Sequence, residues 1–326
     1  MKKYSLAFLI IFLITTAAKA QTQVYSVKAE IPQLSKNDRV VMGYYYADKT
    51  FPADTAKADA EGRFVFEGNE ALPGGMYLLI LPGQKTVEFL ASEDQKFSLT
   101  ISDTANILNS VKIKGSRDNE RLYEYQRYMQ KQSRKFEALQ ERRQNNAGNA
   151  DSLKKINAAG KTFEVEIEKH WKYLAKKHSG TLFAKILAGM NISSEEARRF
   201  GNFFDKVDFS DERLLRSPII FKTIRYVLAR NLNANKSPRF IMGELEELIE
   251  KSRANPKVYE YTVSYLLNFF NSFQRIGMNR VFVFLAENYV LNGNSNWYNE
   301  KALVSIAERT SEMRAGFIGE TAPDIT

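Results

Sequence analysis

The chain has 326 residues, 44% of them hydrophobic, and it contains no cysteine. That length predicts about two domains with cores large enough to stand without disulfides, while the missing thiol excludes thiol–disulfide exchange and zinc sites of the His/Cys type in this polypeptide. The formal charge of +9 excludes less than its size implies: without Lys2, Lys3 and Lys19 the balance is 44 bases to 38 acids, and Ser116–His178 alone holds 15 bases and 9 acids. Such a local excess reads as the solvated face of helices rather than as a nucleic-acid footprint.

Residues 1–20 read as a secretory signal peptide. Lys2 and Lys3 open it, Leu6 to Ile14 form an apolar stretch, and Ala18-Lys19-Ala20 supplies the small-x-small cleavage pattern before Gln21. The apolar stretch is shorter than the roughly 20 residues of a bilayer span, and no cysteine follows the cleavage site to carry a lipid. The expected mature protein is exported to the periplasm or cell envelope, starts near Gln21 and makes no stable membrane insertion.

Residues 21–115 read as a β-rich unit. Tyr25 to Ile31 alternates in polarity, Arg39 to Tyr46 is β-branched and aromatic, and Arg63–Phe66, Met76–Leu81, Thr86–Leu90 and Phe97–Ile101 follow. Glu61-Gly62, Pro73-Gly74-Gly75 and Pro82-Gly83 punctuate them as turns. Seven or so short strands at this spacing predict an antiparallel β-sandwich.

Residues 116–315 read as all-α. Ser116 is placed to cap a helix with apolar positions at Leu122, Tyr125, Met129, Phe136 and Leu139, interrupted by Gln132. After the polar break 144–149, the spacing resumes at Leu153, Ile156, Gly160, Phe163, Ile167, His170 and Leu174, which predicts a long antiparallel helical hairpin. Ser193-Ser194-Glu195-Glu196 forms a capping box. Ser210 is placed to cap the turn 211–215, and Ser217-Pro218 and Ser237-Pro238 set a cap residue before a first-turn proline. Helices are expected over 218–231, 238–252, 256–273, 279–291 and 296–313, with a linker over 316–326. The fold class is therefore α+β in separate domains, a β-sandwich followed by a helical domain.

Candidate chemistry is thin. His170 and His178 are the two histidines, and His170 falls on the hairpin seam, where packing is the expected role. Asp205, Asp208 and Asp211 have a metal-like spacing but lack the glycine turn and terminal glutamate of a calcium loop, so caps and turns are expected. Glu244, Glu246 and Glu247 show no spacing that sets them across a cleft. Phe203, Phe204, Phe269, Phe270, Phe282 and Phe284 read as core. Trp297 reads as a clamp on a helix start or the wall of a ligand cleft, and Tyr44-Tyr45-Tyr46 as an aromatic face for a peptide or glycan. No catalytic residue, cofactor-binding residue or metal ligand is assigned, and no cofactor is expected.

Several stretches nevertheless form a recognisable pattern. Asp54-Thr55-Ala56, Asp59 to Phe66, Gly75-Met76-Tyr77 and Gln95 to Thr100 resemble a β-rich module of unknown function that precedes a thioredoxin-like (redoxin) domain in envelope proteins of Gram-negative bacteria. Phe204 to Pro218, Gly277-Met278, Val281-Phe282-Val283, Asn288-Tyr289, Gly293 and Trp297 are similar to a helical module of the same proteins. Gly319-Glu320-Thr321-Ala322-Pro323-Asp324 looks like the lead-in of the redoxin domain itself. In such proteins a Cys-x-x-Cys pair in that later domain carries the thiol–disulfide oxidoreductase activity. The resemblance implies a truncated, non-catalytic amino-terminal region that positions, dimerises or selects partners for the redoxin. A stand-alone envelope binding or scaffolding protein without redox activity is the alternative. Either way the expected partner is a protein of the cell envelope, a homo-oligomer is open to the chain, and nucleic acid is not expected.

Overall fold

Alternating apolar side chains in the first third of the chain lay two four-stranded sheets face to face. The computed structural model describes residues 24–191, 203–273 and 275–317. Its strands are β1 (Tyr25–Glu30), β2 (Arg39–Tyr46), β3 (Lys49–Lys57), β4 (Arg63–Gly68), β5 (Gly75–Ile80), β6 (Thr86–Ala91), β7 (Lys96–Ile101) and β8 (Val111–Lys114). One sheet has the order β4-β1-β7-β8 and the other β3-β2-β5-β6. Val27, Phe66, Leu79, Phe89 and Leu99 meet between them, and the Tyr77 and Phe89 rings stack at 5.5 Å.

The sandwich is antiparallel in every described pair but one. β1 runs parallel to β7, with Val27 opposite Phe97. One edge of β1 is already taken by β4, and the chain returns to the other only after crossing the second sheet through β5 and β6. A connection of that length permits a parallel pair, which a tight hairpin does not. β3 is absent from the sequence expectation because almost all its side chains are exposed, as suits an edge strand, and so it shows no alternation. A register shift opposite Met42 and Gly43 lets Pro52 sit in this edge.

The helices are α1 (Ile107–Ser110), α2 (Arg117–Asn145), α3 (Ala150–Lys177), α4 (Leu182–Met190), α5 (Ile219–Asn233), α6 (Pro238–Ser252), α7 (Pro256–Ser272), α8 (Asn279–Leu285, continued by a π turn over Ala286–Val290) and α9 (Glu300–Ala315). α2 and α3 form the expected hairpin. Its seam is buried at Leu122 and Tyr125 and again at Ile156 near the tip, while between them a 43% exposed Phe136 stacks on Phe163 at 6.2 Å. α4 was not anticipated, although Thr181 accepts from the Ala184 N–H at its start in ordinary cap fashion.

Other caps adjust the sequence expectations. Ser237 accepts from the Phe240 N–H and Asn255 from those of Lys257 and Val258. The Ser116 hydroxyl instead accepts from the Asn119 side chain, so it caps no backbone group of α2. Asp211, not Ser210, caps the turn at 212–214, because its carboxylate reaches the Arg213 N–H. Ser217 accepts from the Ile219 N–H, but α5 begins one residue after Pro218. The signal peptide over 1–20, the capping box at 193–196 and the redoxin-like motif at 319–324 lie outside the described residues.

The two parts share a core. Met76 and Leu90, on the outer face of the second sheet, pack with Leu122, Phe183, Leu214 and Ile220 of the helical part. Backbone bonds reinforce the joint, from the Ala47 N–H to Leu215 O at 2.6 Å and from the Met76 N–H to Arg216 O at 2.6 Å. Gly75 makes that approach feasible, since a Cβ there would lie 2.3 Å from the Cβ of Arg216.

Candidate functional site

β6 is an edge strand, and its outward N–H and C=O groups need partners. Helix α2 supplies them with side chains. The Asn119 carboxamide accepts from the Leu90 N–H at 2.6 Å and donates to Leu90 O at 2.9 Å, standing in for one residue of a ninth strand. The Tyr123 hydroxyl donates to Glu88 O at 2.9 Å. Four helical residues advance about 6 Å and two strand residues about 6.6 Å, so positions 119 and 123 meet 90 and 88 in step.

Position 127 is next in that series and would meet Thr86. It is Arg127, and its guanidinium turns instead to Leu108 O at 3.3 Å. Leu90, Glu88 and Thr86 alternate with the residues that bond to β5, so their backbone groups face outward together. The Glu88 N–H and both backbone groups of Thr86 have no partner among the described residues.

A cleft of about 900 Å³ opens at that point, between β6, α1 and the α2–α3 hairpin. Ile107, Leu108, Met129, Phe136, Phe163 and Ile167 give it an apolar wall. Gln132, which interrupts the seam pattern, lines it as well; the residue is 7% exposed, and its carboxamide has no hydrogen-bond partner among the described residues. Glu88 is the one charged side chain among the described lining residues, and its carboxylate accepts from the Tyr45 hydroxyl at 2.6 Å. Burial, with that bond added, pushes the Tyr45 hydroxyl well above its ordinary pKa, so it stays a donor.

A second, polar recess of about 400 Å³ lies at the joint of the two parts, among Asp94, Arg117, Asp118, Arg121, His178 and Arg213. Its charges are spent on structure. Asp118 accepts from the Phe183 N–H at the start of α4 and from Arg121, each at 3.2 Å. Arg213 and Lys185 both reach Asp211, and Lys185 also reaches Asp208 at 2.7 Å. Burial alone would raise the Asp211 carboxyl, but the bonds and charges of Arg213 and Lys185 outweigh it and hold the group well below the usual carboxylate range. His178 is pushed down by burial and by Arg121 and Lys177, which favours the neutral ring.

The other residues singled out by sequence fall apart from one another. Asp205 pairs with Lys251, away from the bridge on Asp208 and Asp211. Glu244 pairs with Arg230 while Glu246 and Glu247 stay exposed on α6. His170 lies 3.9 Å from the Tyr128 ring and is pushed down by burial, while its neighbour Trp171 is buried in the helical core. Trp297 donates to the Ser264 hydroxyl at 3.1 Å and meets the Tyr259 ring edge-on at 5.7 Å, so it clamps the segment before α9 onto α7. The three tyrosines form no common face: Tyr44 stacks on Phe51, Tyr45 turns to Glu88 on the opposite face, and Tyr46 packs on Tyr261. Among the described residues no three His, Asp or Glu side chains gather as they would around a metal ion, and no helix is long and apolar enough to cross a membrane. Phe204, Phe270 and Phe282 are core; the Phe203 side chain lies outside the described residues.

Residues 25–122 match a domain family described only as a domain of unknown function, DUF4369. The match runs past β8 into α2 and takes in Asn119. No curated protein and no solved structure matches the chain. The chain thus carries a DUF4369 domain joined to a helical region and, having no cysteine, lacks a thiol–disulfide active site.

Proposed function

We propose that this chain is the non-catalytic, exported amino-terminal region of a thioredoxin-like thiol–disulfide oxidoreductase, and that it selects and positions the partner on which that enzyme acts. The observation that carries partner selection is the apolar cleft at the open end of β6, where unpaired backbone groups and the Gln132 carboxamide face one space. A recognition surface needs such groups within reach of a ligand, and here they stay open to solvent: Thr86 is exposed, and the Gln132 carboxamide is not among the described side-chain atoms sealed from solvent without a partner. The DUF4369 domain supports the envelope setting through the module order that the sequence resembles, and the signal-like leader supports export.

The gene read past codon 326, with the intact mass of the native protein, tests the redox half of this reading. An open frame into a Cys-x-x-Cys domain and a correspondingly heavy protein are expected. Removing residues 21–315 should then leave the reduction of insulin unchanged but slow the reduction of disulfide-bonded envelope proteins. A stop after Thr326, with a mass equal to Gln21–Thr326, overturns it and leaves the same cleft to a free-standing envelope binding protein.

A further inference from the structure

We infer that the cleft takes an extended, uncharged peptide segment of a partner protein, which adds as a further strand to the open half of β6. This deepens the partner-selection reading and rests on it, since it names what the partner presents.

Three observations converge on that ligand. The first is the backbone. The Thr86 N–H and C=O and the Glu88 N–H face the cleft in the repeat of a strand edge, while α2 satisfies the same edge at Leu90 and at Glu88 O. Groups spaced two residues apart and pointing the same way are complementary to another strand. The second is Gln132, more than nine-tenths buried, without a partner among the described residues, and lining the same space. A carboxamide both donates and accepts, as a peptide bond does, so it can read one more backbone unit beyond the strand. The third is charge. The described lining contains no lysine or arginine, and its single acid is Glu88. A carboxylate or phosphate ligand would find no counter-charge there, whereas a neutral chain with apolar side chains meets Met129, Phe136, Phe163 and Ile167. Alternation along an added strand sends every second side chain to that wall and the others toward solvent.

The mode of binding yields a selective variant. Proline at position 86 removes an outward N–H without touching the ladder to β5, because Thr86 opposes Ile80 at a site that exchanges no bonds with it. Lys85, just before it, already has φ −71° and ψ 138°, the backbone that a following proline favours. Thr86→Pro should therefore keep the far-UV circular dichroism and Tm of the parent protein.

The experiment is a calorimetric titration of the purified protein with blocked hexapeptides that alternate threonine with valine, leucine or phenylalanine. Each peptide is also made with N-methyl groups on one or the other alternate set of amides. At least one peptide should bind. Methylation of one set should abolish binding and methylation of the other leave it nearly intact, because only one set faces β6. Thr86→Pro and Gln132→Leu should each weaken binding about tenfold. Failure of all the peptides to bind, or equal tolerance of both methylated sets, overturns strand addition. A fatty alcohol of matching length that binds while the peptides do not would assign the cleft to lipid instead. None of these outcomes depends on a downstream domain, so a failure here stays separable from the result for the gene's reading frame.

Discussion

Asp211 is held by two cations at once, with Arg213 reaching it through its backbone N–H and guanidinium and Lys185 through its ammonium. Its pKa is depressed in the folded protein despite burial, which opposes the charge. A group whose folded pKa lies below its unfolded value contributes stability above the unfolded value, about 3.9, and that contribution disappears as pH falls toward the folded one. Asp211→Asn should therefore cost about 2 kcal/mol at pH 7, with the gap to the parent narrowing below about pH 4. Urea unfolding at a series of pH values reads this directly, and a gap constant down to pH 2 would mean that the charge is not what matters. The sequence placed Asp211 correctly at a turn, because Asp near a 3₁₀ start satisfies its neighbours' N–H groups. It could not show Lys185, which arrives from α4, 26 residues upstream.

The pairing of α2 with β6 lets side chains of a long helix satisfy part of a sheet edge. Asn119 and Tyr123 cover the far half of the edge, and the covering stops where the helix carries Arg127. Asn119→Leu keeps the volume but leaves the Leu90 N–H and C=O buried without partners. A loss of about 2–4 kcal/mol is expected, read from the denaturation midpoint at unchanged slope. Most strands and helices were legible because their periods, two and about 3.6, are written in the residues that line the core. β3, α1, β8 and α4 were not: β3 buries almost nothing, α1 and β8 span four residues each, too few to show a period, and the apolar run of α4 is short enough to be read either way. Gln132 was visible as an interruption of the hairpin seam, yet its meaning depended on the cleft that it borders.

On the scale of the molecule, the central strand β5 of the second sheet is covered on both faces, by the first sheet on one side and by helices on the other. Met76 and Leu90 belong to the helical core although they lie on strands, while Tyr123 belongs to the sandwich core although it lies on a helix. Units that exchange core residues in this way unfold together. Heating should give one transition, coincident in the far-UV helix signal and the near-UV tyrosine signal, and Met76→Ala should shift both by the same amount, equivalent to about 2–5 kcal/mol. Two separated transitions would show that the parts are energetically independent.

The linear order of residues was enough to establish the lack of thiol chemistry, the division into a β-rich third and a helical remainder, and the hairpin between them. Those are matters of composition and of local period, which each stretch carries in itself. The tertiary structure alone decided that β1 pairs in parallel with β7, that strand β5 is buried on both faces, and that an edge strand opens into an apolar cleft beside Gln132. Each joins residues dozens of positions apart, and their hydrogen bonds and burial exist only once the chain has brought them together.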